Sequence, residues 1–90
     1  MVESCHIIFK GRVQGVGFRY TVMDIARTYP VKGFVRNLIT GDVEVKVEGE
    51  KKIIEDFIKS IEKEMKRYIR KSEIDWGEYS GEFSKFEVRF

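Results

Sequence analysis

Between Val43 and Ile69 the apolar residues of this chain change their period once, and cleanly. Val43, Val45 and Val47 alternate with Glu44, Lys46 and Glu48, the two-residue period of a half-buried strand. Ile53, Ile54, Phe57, Ile58, Ile61, Met65, Tyr68 and Ile69 then recur at helical spacing. This predicts a long amphipathic helix whose charged continuation, Met65 to Ser72, stays helical. Glu55 and Glu62 stand four residues before Lys59 and Lys66, a spacing suited to ion pairs on the outer side. A strand and a helix with one apolar face each cannot close a core alone, so the rest of the chain has to supply matching faces.

It does so in the same order. Cys5 to Lys10 is short, rich in strand formers and closed by Gly11. Phe18, Val22, Ile25, Ala26 and Tyr29 form an apolar helical stripe that Pro30 brings to an end. Gly33 to Ile39 reads as a strand joined by Thr40-Gly41-Asp42 to the alternating run at Val43, a hairpin. A weaker strand follows around Ile74 to Tyr79, and Phe86, Val88 and Phe90 alternate with charged residues to complete the sheet. The succession strand, helix, strand, strand, helix, strand predicts an α+β fold of the ferredoxin-like βαββαβ type, an antiparallel sheet with two helices on one face. With 90 residues and no linker rich in Pro, Gly or Ser, residues 1–90 are expected to form one domain.

Composition narrows the function. A formal net charge of +2, with lysines interleaved among glutamates, gives little electrostatic pull on nucleic acid. The single cysteine, Cys5, excludes an internal disulfide and any paired-cysteine zinc site, and points to a reducing compartment. No run approaches the length of a membrane span, and no basic stretch leads into an apolar one near Met1. The expectation is a cytoplasmic monomer that uses neither metal nor cofactor and binds neither membrane nor nucleic acid.

Chemistry concentrates in Gly11-Arg12-Val13-Gln14-Gly15-Val16-Gly17-Phe18-Arg19, which joins the first strand to the first helix. Two glycines two apart let successive backbone N–H groups curl around an anion, and the helix beginning near Phe18 adds its positive end. Arg19, in the first turn, can give two parallel hydrogen bonds to phosphate oxygens. A dinucleotide loop would need glycine where Tyr20 stands, and a P-loop would need Gly-Lys-Ser/Thr; neither is present. On spacing alone, the glycines could equally make a tight turn beside a solvated arginine. Asn37 could equally bond its own backbone at a hairpin. His6 has no Asp or Ser at a suggestive spacing, and Cys5 no activating partner, so neither is given a role.

The whole string Gly11 to Arg19 resembles the acylphosphatase signature. Gly33-Phe34-Val35-Arg36-Asn37, followed by a turn containing Gly41 and then Val43-Glu44, resembles that family's second signature. The resemblance implies a substrate with a carboxyl–phosphate anhydride, held by loop amides from Gln14, Gly15, Val16, Gly17, Phe18 and Arg19. It also implies that the Arg19 guanidinium neutralises the phosphate, that Asn37 orients the attacking water, and that inorganic phosphate competes. Such economy is chemically sufficient, because a carboxylate leaves without being protonated. An amide both donates and accepts, so it can fix a water without acting as a base.

The chain departs from the family pattern at Tyr29-Pro30, where Leu-Gly is common, and at Thr40, where Asp is common. It also lacks a Gly-Pro-Pro stretch after the second helix. Two other readings stay open. The same element order builds RNA-recognition domains, which Lys32-Gly33-Phe34-Val35 resembles in part, although Val35, Arg36 and Asn37 fill positions that would need base-stacking aromatics. The other is a regulatory domain that binds phosphate without turnover.

Overall fold

The computed structural model describes residues 1–90 and contains β1 (Val2–Gly11), α1 (Phe18–Ala26), β2 (Lys32–Asn37), β3 (Val43–Glu50), α2 (Lys51–Glu64), β4 (Ile69–Gly77) and β5 (Phe86–Arg89). The sheet order is β4-β1-β3-β2-β5. β1 runs antiparallel to both β3 and β4, and β2 antiparallel to β3, as the split βαβ order requires. The short β5 adds a parallel edge beside β2, with Gly33 opposite Phe86 and Val35 opposite Val88, so the sheet is mixed.

The alternation read from the sequence sorts the two faces. Cys5, Ile7, Phe9, Val35, Val43, Val45 and Val47 are buried together with Val22 and Ala26 of α1 and Ile54, Phe57, Ile58 and Ile61 of α2. Full burial of each large aliphatic or aromatic side chain contributes about 1.5–3 kcal/mol, and this layer is where the fold gains most of its stability. The opposite face carries His6, Glu44 and Arg36. The Glu44 carboxylate accepts from His6 Nε2 at 2.7 Å and from Arg36 Nε.

Both helix ends differ from the sequence reading. α1 ends at Ala26, and Tyr29 lies in a tightened turn in which its N–H donates to Ala26 O and that of Thr28 to Ile25 O. The second helix stops at Glu64 instead of continuing to Ser72: Met65 O accepts from both Tyr68 and Ile69, and the chain then becomes β4. The cause lies at Gly11, where a Cβ would stand 2.3 Å from Tyr68 O; this close approach lets Arg12 N–H donate to Tyr68 O and Ile69 pair with Gly11. Pairing with β1 overrides the helical period there. On the outer side of α2 the ion pair formed is Lys52–Asp56, 3.1 Å, and not Glu55–Lys59 or Glu62–Lys66.

The loop between β4 and β5 folds back over the open sheet face. Glu48, 3% exposed, accepts hydrogen bonds from Ser80 N and Oγ and from Gly81 N at 2.8–3.0 Å. Phe83 packs on Phe34 with ring centroids 5.9 Å apart, and the Arg89 guanidinium covers the Phe34 ring at 4.1 Å. Phe34 is thereby buried, which removes the aromatic platform that an RNA-binding strand would need.

Candidate active site

Every backbone N–H from Val13 to Tyr20 is without a protein acceptor; the first helical bond is that of Thr21 N–H to Gly17 O, 3.0 Å. The reason is local. Gly15 (φ 77) and Gly17 (φ 76) are left-handed, which turns the chain away from the ladder of β1 and into α1. A Cβ at either position would meet nothing within 4 Å, so glycine is needed there for its backbone conformation and not for space. Gly17 caps α1 without a side-chain acceptor, and no acidic residue occupies the first turn. The positive end of the helix and its amides are therefore left without a partner from the protein.

Six residues of this segment, Val13, Gly15, Gly17, Phe18, Arg19 and Tyr20, line a hollow of about 120 Å³ together with Asn37. Phe18, 2% exposed, anchors the start of α1 in the core against Phe9, ring centroids 5.3 Å apart. Arg19 is positioned by the far end of the chain: one terminal nitrogen donates to Arg89 O at 3.2 Å, and its guanidinium carbon lies 4.6 Å from the Phe90 ring centroid. It makes no other hydrogen bond within the protein, so the remaining N–H groups are unspent. Asn37, the last residue of β2, forms part of the wall of the hollow.

Of the residues singled out in the sequence, Gly15, Gly17, Phe18, Arg19 and Asn37 come together around the hollow, and Gln14 and Val16 do not line it. The Gln14 side chain braces the loop instead. Its amide nitrogen donates to Leu38 O at 2.7 Å and to Asp42 O at 2.8 Å, fastening the glycine loop to the β2–β3 turn just beyond Asn37. In that turn Thr40 Oγ1 donates to Asp42 Oδ2 at 3.0 Å. The sequence reading missed Val13 and Tyr20 in the lining, and the hold of Arg89 and Phe90 on Arg19. The two lining residues could have been found from their places beside Gln14 and Arg19; the hold on Arg19 joins residues 70 apart and leaves no local signal.

The other reactive side chains lie elsewhere. His6 is bonded to Glu44 on the open face. Cys5 is fully buried, and burial first, then the nearby Asp75 charge, pushes its thiol up to about 12, where no useful thiolate exists at neutral pH.

Fold and hollow together define a class: a split βαβ domain whose first strand-to-helix junction leaves its backbone amides unpaired beside a guanidinium. A family model described as Acylphosphatase matches residues 5–88. An acylphosphatase from Anaeromyxobacter sp. (strain Fw109-5) is 36% identical over 89 residues, covering 98% of this chain and 96% of its own. One from Bacillus pumilus (strain SAFR-032) is 53% identical over 58 residues, a segment spanning only 64% of either chain. Among solved structures, acylphosphatase from Bacillus subtilis superposes with a TM-score of 0.88 at 26% identity, both chains covered in full. A phosphate- and nucleotide-bound full-length HypF superposes with a TM-score of 0.80 at 32% identity, over 100% of this chain and 12% of HypF. The chain belongs to the acylphosphatase family, hydrolases of acyl phosphates.

Proposed function

We propose that this chain hydrolyses the carboxyl–phosphate bond of acyl phosphates to a carboxylate and inorganic phosphate, with the phosphoryl group held by the Gly15–Gly17 loop and Arg19. The observation that carries the reading is the run of unpartnered N–H groups from Val13 to Tyr20, six of whose residues, Arg19 among them, line a hollow with Asn37. Asn37 holds a water on the side of phosphorus opposite the leaving carboxylate. The water oxygen forms the new P–O bond, the old P–O bond breaks with its electron pair passing to the carboxylate, and the water proton passes to a phosphoryl oxygen. No carboxylate or imidazole lines the hollow to act as a base, and the leaving group needs no acid. Charge developing on the phosphoryl oxygens is met by fixed backbone dipoles and the guanidinium, which do not have to reorganise during the reaction. The lone thiol of Cys5 suits a reducing, cytoplasmic setting.

Purified protein should therefore hydrolyse benzoyl phosphate without added metal, with inorganic phosphate competing. Arg19→Ala should lower kcat about 100- to 1,000-fold, the scale expected when a preorganised donor is removed. Asn37→Ala should lower kcat while leaving the inhibition constant of phosphate nearly unchanged. Absence of turnover in the unaltered protein, or an Arg19→Ala enzyme of full activity, would overturn the proposal.

A further inference from the structure

The hollow of about 120 Å³ is well below the roughly 300 Å³ at which pockets begin to enclose an organic ligand. A phosphoryl group seated there leaves the acyl group lying across the mouth. Three exposed side chains with large apolar surfaces stand in or beside that lining. Tyr20, 58% exposed, lines the hollow, and its hydroxyl makes no hydrogen bond within the protein. Val16 projects between the two left-handed glycines at 36% exposure, and the Phe90 ring, 91% exposed, rests on the Arg19 guanidinium. Single exposed apolar residues are ordinary on protein surfaces; three flanking one polar hollow form a feature with a direction. Charge argues the same way. Arg19 is the only charged residue in the lining, so an acyl group bearing a second anionic group would find no cation of its own there.

We propose that Tyr20, flanked by Val16 and Phe90, is the seat of the acyl group, and that the chain selects acyl phosphates with an aromatic or bulky apolar acyl part over small ones such as acetyl phosphate. The inference rests on the reaction proposed above. An aromatic ring can lie against the exposed Tyr20 ring and lose water from both faces, whereas a methyl group covers little of it. The contact is remote from the reacting phosphorus and equal in ground and transition states, so it acts through KM more than kcat.

The test compares kcat/KM for benzoyl and acetyl phosphate in the unaltered protein, Tyr20→Ser and Tyr20→Phe; changes in the ratio cancel the intrinsic reactivities of the two anhydrides. Tyr20→Ser should lower the benzoyl-to-acetyl ratio about 5- to 10-fold, mainly by raising KM for benzoyl phosphate, the scale of losing one buried aromatic contact. Tyr20→Phe should preserve the ratio. Tyr20 is exposed on the first turn of α1, so both variants should fold, which circular dichroism will verify. A ratio unchanged in Tyr20→Ser, while both substrates are still turned over, would sink the acyl seat and leave the reaction standing. Failure of the unaltered protein on both substrates would instead remove the reaction itself.

Discussion

Gly17 ties the stability of the fold to the proposed chemistry. Its φ of 76 and ψ of 21 place it in the left-handed region, where it caps α1 and leaves the amides of Phe18 and Arg19 without a protein acceptor. A Cβ there would strike nothing, so Gly17→Ala should fold, at a cost of about 1–2 kcal/mol for the left-handed backbone. Thermal unfolding should show a midpoint lower by about 4–16 °C, taking about 4–8 °C per kcal/mol for a domain of this size. Activity on benzoyl phosphate should fall further than that destabilisation explains, because relief of the strain would re-aim the loop amides. A variant of reduced stability but undiminished turnover would show that the loop conformation matters to the fold alone. Gly33 obeys a different necessity: a Cβ there would stand 1.9 Å from Lys46 O, so space as well as backbone demands glycine. Both glycines are visible in the sequence, but which constraint governs each is decided by what the neighbouring strand places next to it.

At the scale of elements, the site is a junction of two connections, the β1–α1 loop and the β2–β3 turn, and Gln14 joins them. Gln14→Leu would remove the two bonds that fasten the loop to the turn, while Leu38 O keeps the N–H of Gly41 and Asp42 O that of Leu38 as donors, so the cost should be about 0.5–1.5 kcal/mol. Because Asn37 immediately precedes that turn, kcat should drop by about tenfold from a displaced water, a modest misplacement of a positioning group. The inhibition constant of inorganic phosphate should move less. Steady-state kinetics with phosphate inhibition separates the two, and an equal loss in both would mean that Gln14 serves the cradle as a whole. The elements also show where periodicity misleads. Tyr68 and Ile69 continue the helical stripe of α2 in sequence, yet Ile69 belongs to β4, because Gly11 at the end of β1 admits the Tyr68 carbonyl and opens a strand-pairing partner. Hydrogen bonds to a distant strand outweigh a local preference worth a few tenths of a kcal/mol per residue.

For the molecule as a whole, acid is the informative perturbation. Burial of Glu48 would raise its pKa, but the hydrogen bonds from Ser80 and Gly81 outweigh this and hold the carboxyl below its ordinary 4.5. At Glu44 burial is likewise overcome, by the hydrogen bonds from His6 and Arg36 and by the charges of both, and its carboxyl too is held below 4.5. A carboxyl depressed in the folded state stabilises at pH above its unfolded value and loses that contribution as pH falls through the folded one. The thermal midpoint should therefore decline as pH drops below about 4.5. Glu48→Gln should destabilise the protein by about 1–3 kcal/mol at neutral pH by weakening the clasp on the β4–β5 loop, and should flatten the acid dependence. Calorimetry from neutral pH to acid tests both; an unchanged acid slope in Glu48→Gln would assign the dependence to Glu44 and other carboxylates.

The sequence by itself determined the kind of core and the place of the site. A period of two passing to a period of 3.6, twice, leaves few ways to bury both sets of faces, and Gly15, Gly17 and Arg19 sit at one junction because they are neighbours along the chain. Tertiary structure alone decided what holds that junction in working order. Arg89 and Phe90 reach Arg19 only because β5 runs parallel to β2, and Glu48 takes its partners from a loop more than thirty residues away. Such contacts carry no periodicity; they arise when sheet register brings distant backbone groups within hydrogen-bond range, which only the folded chain can do.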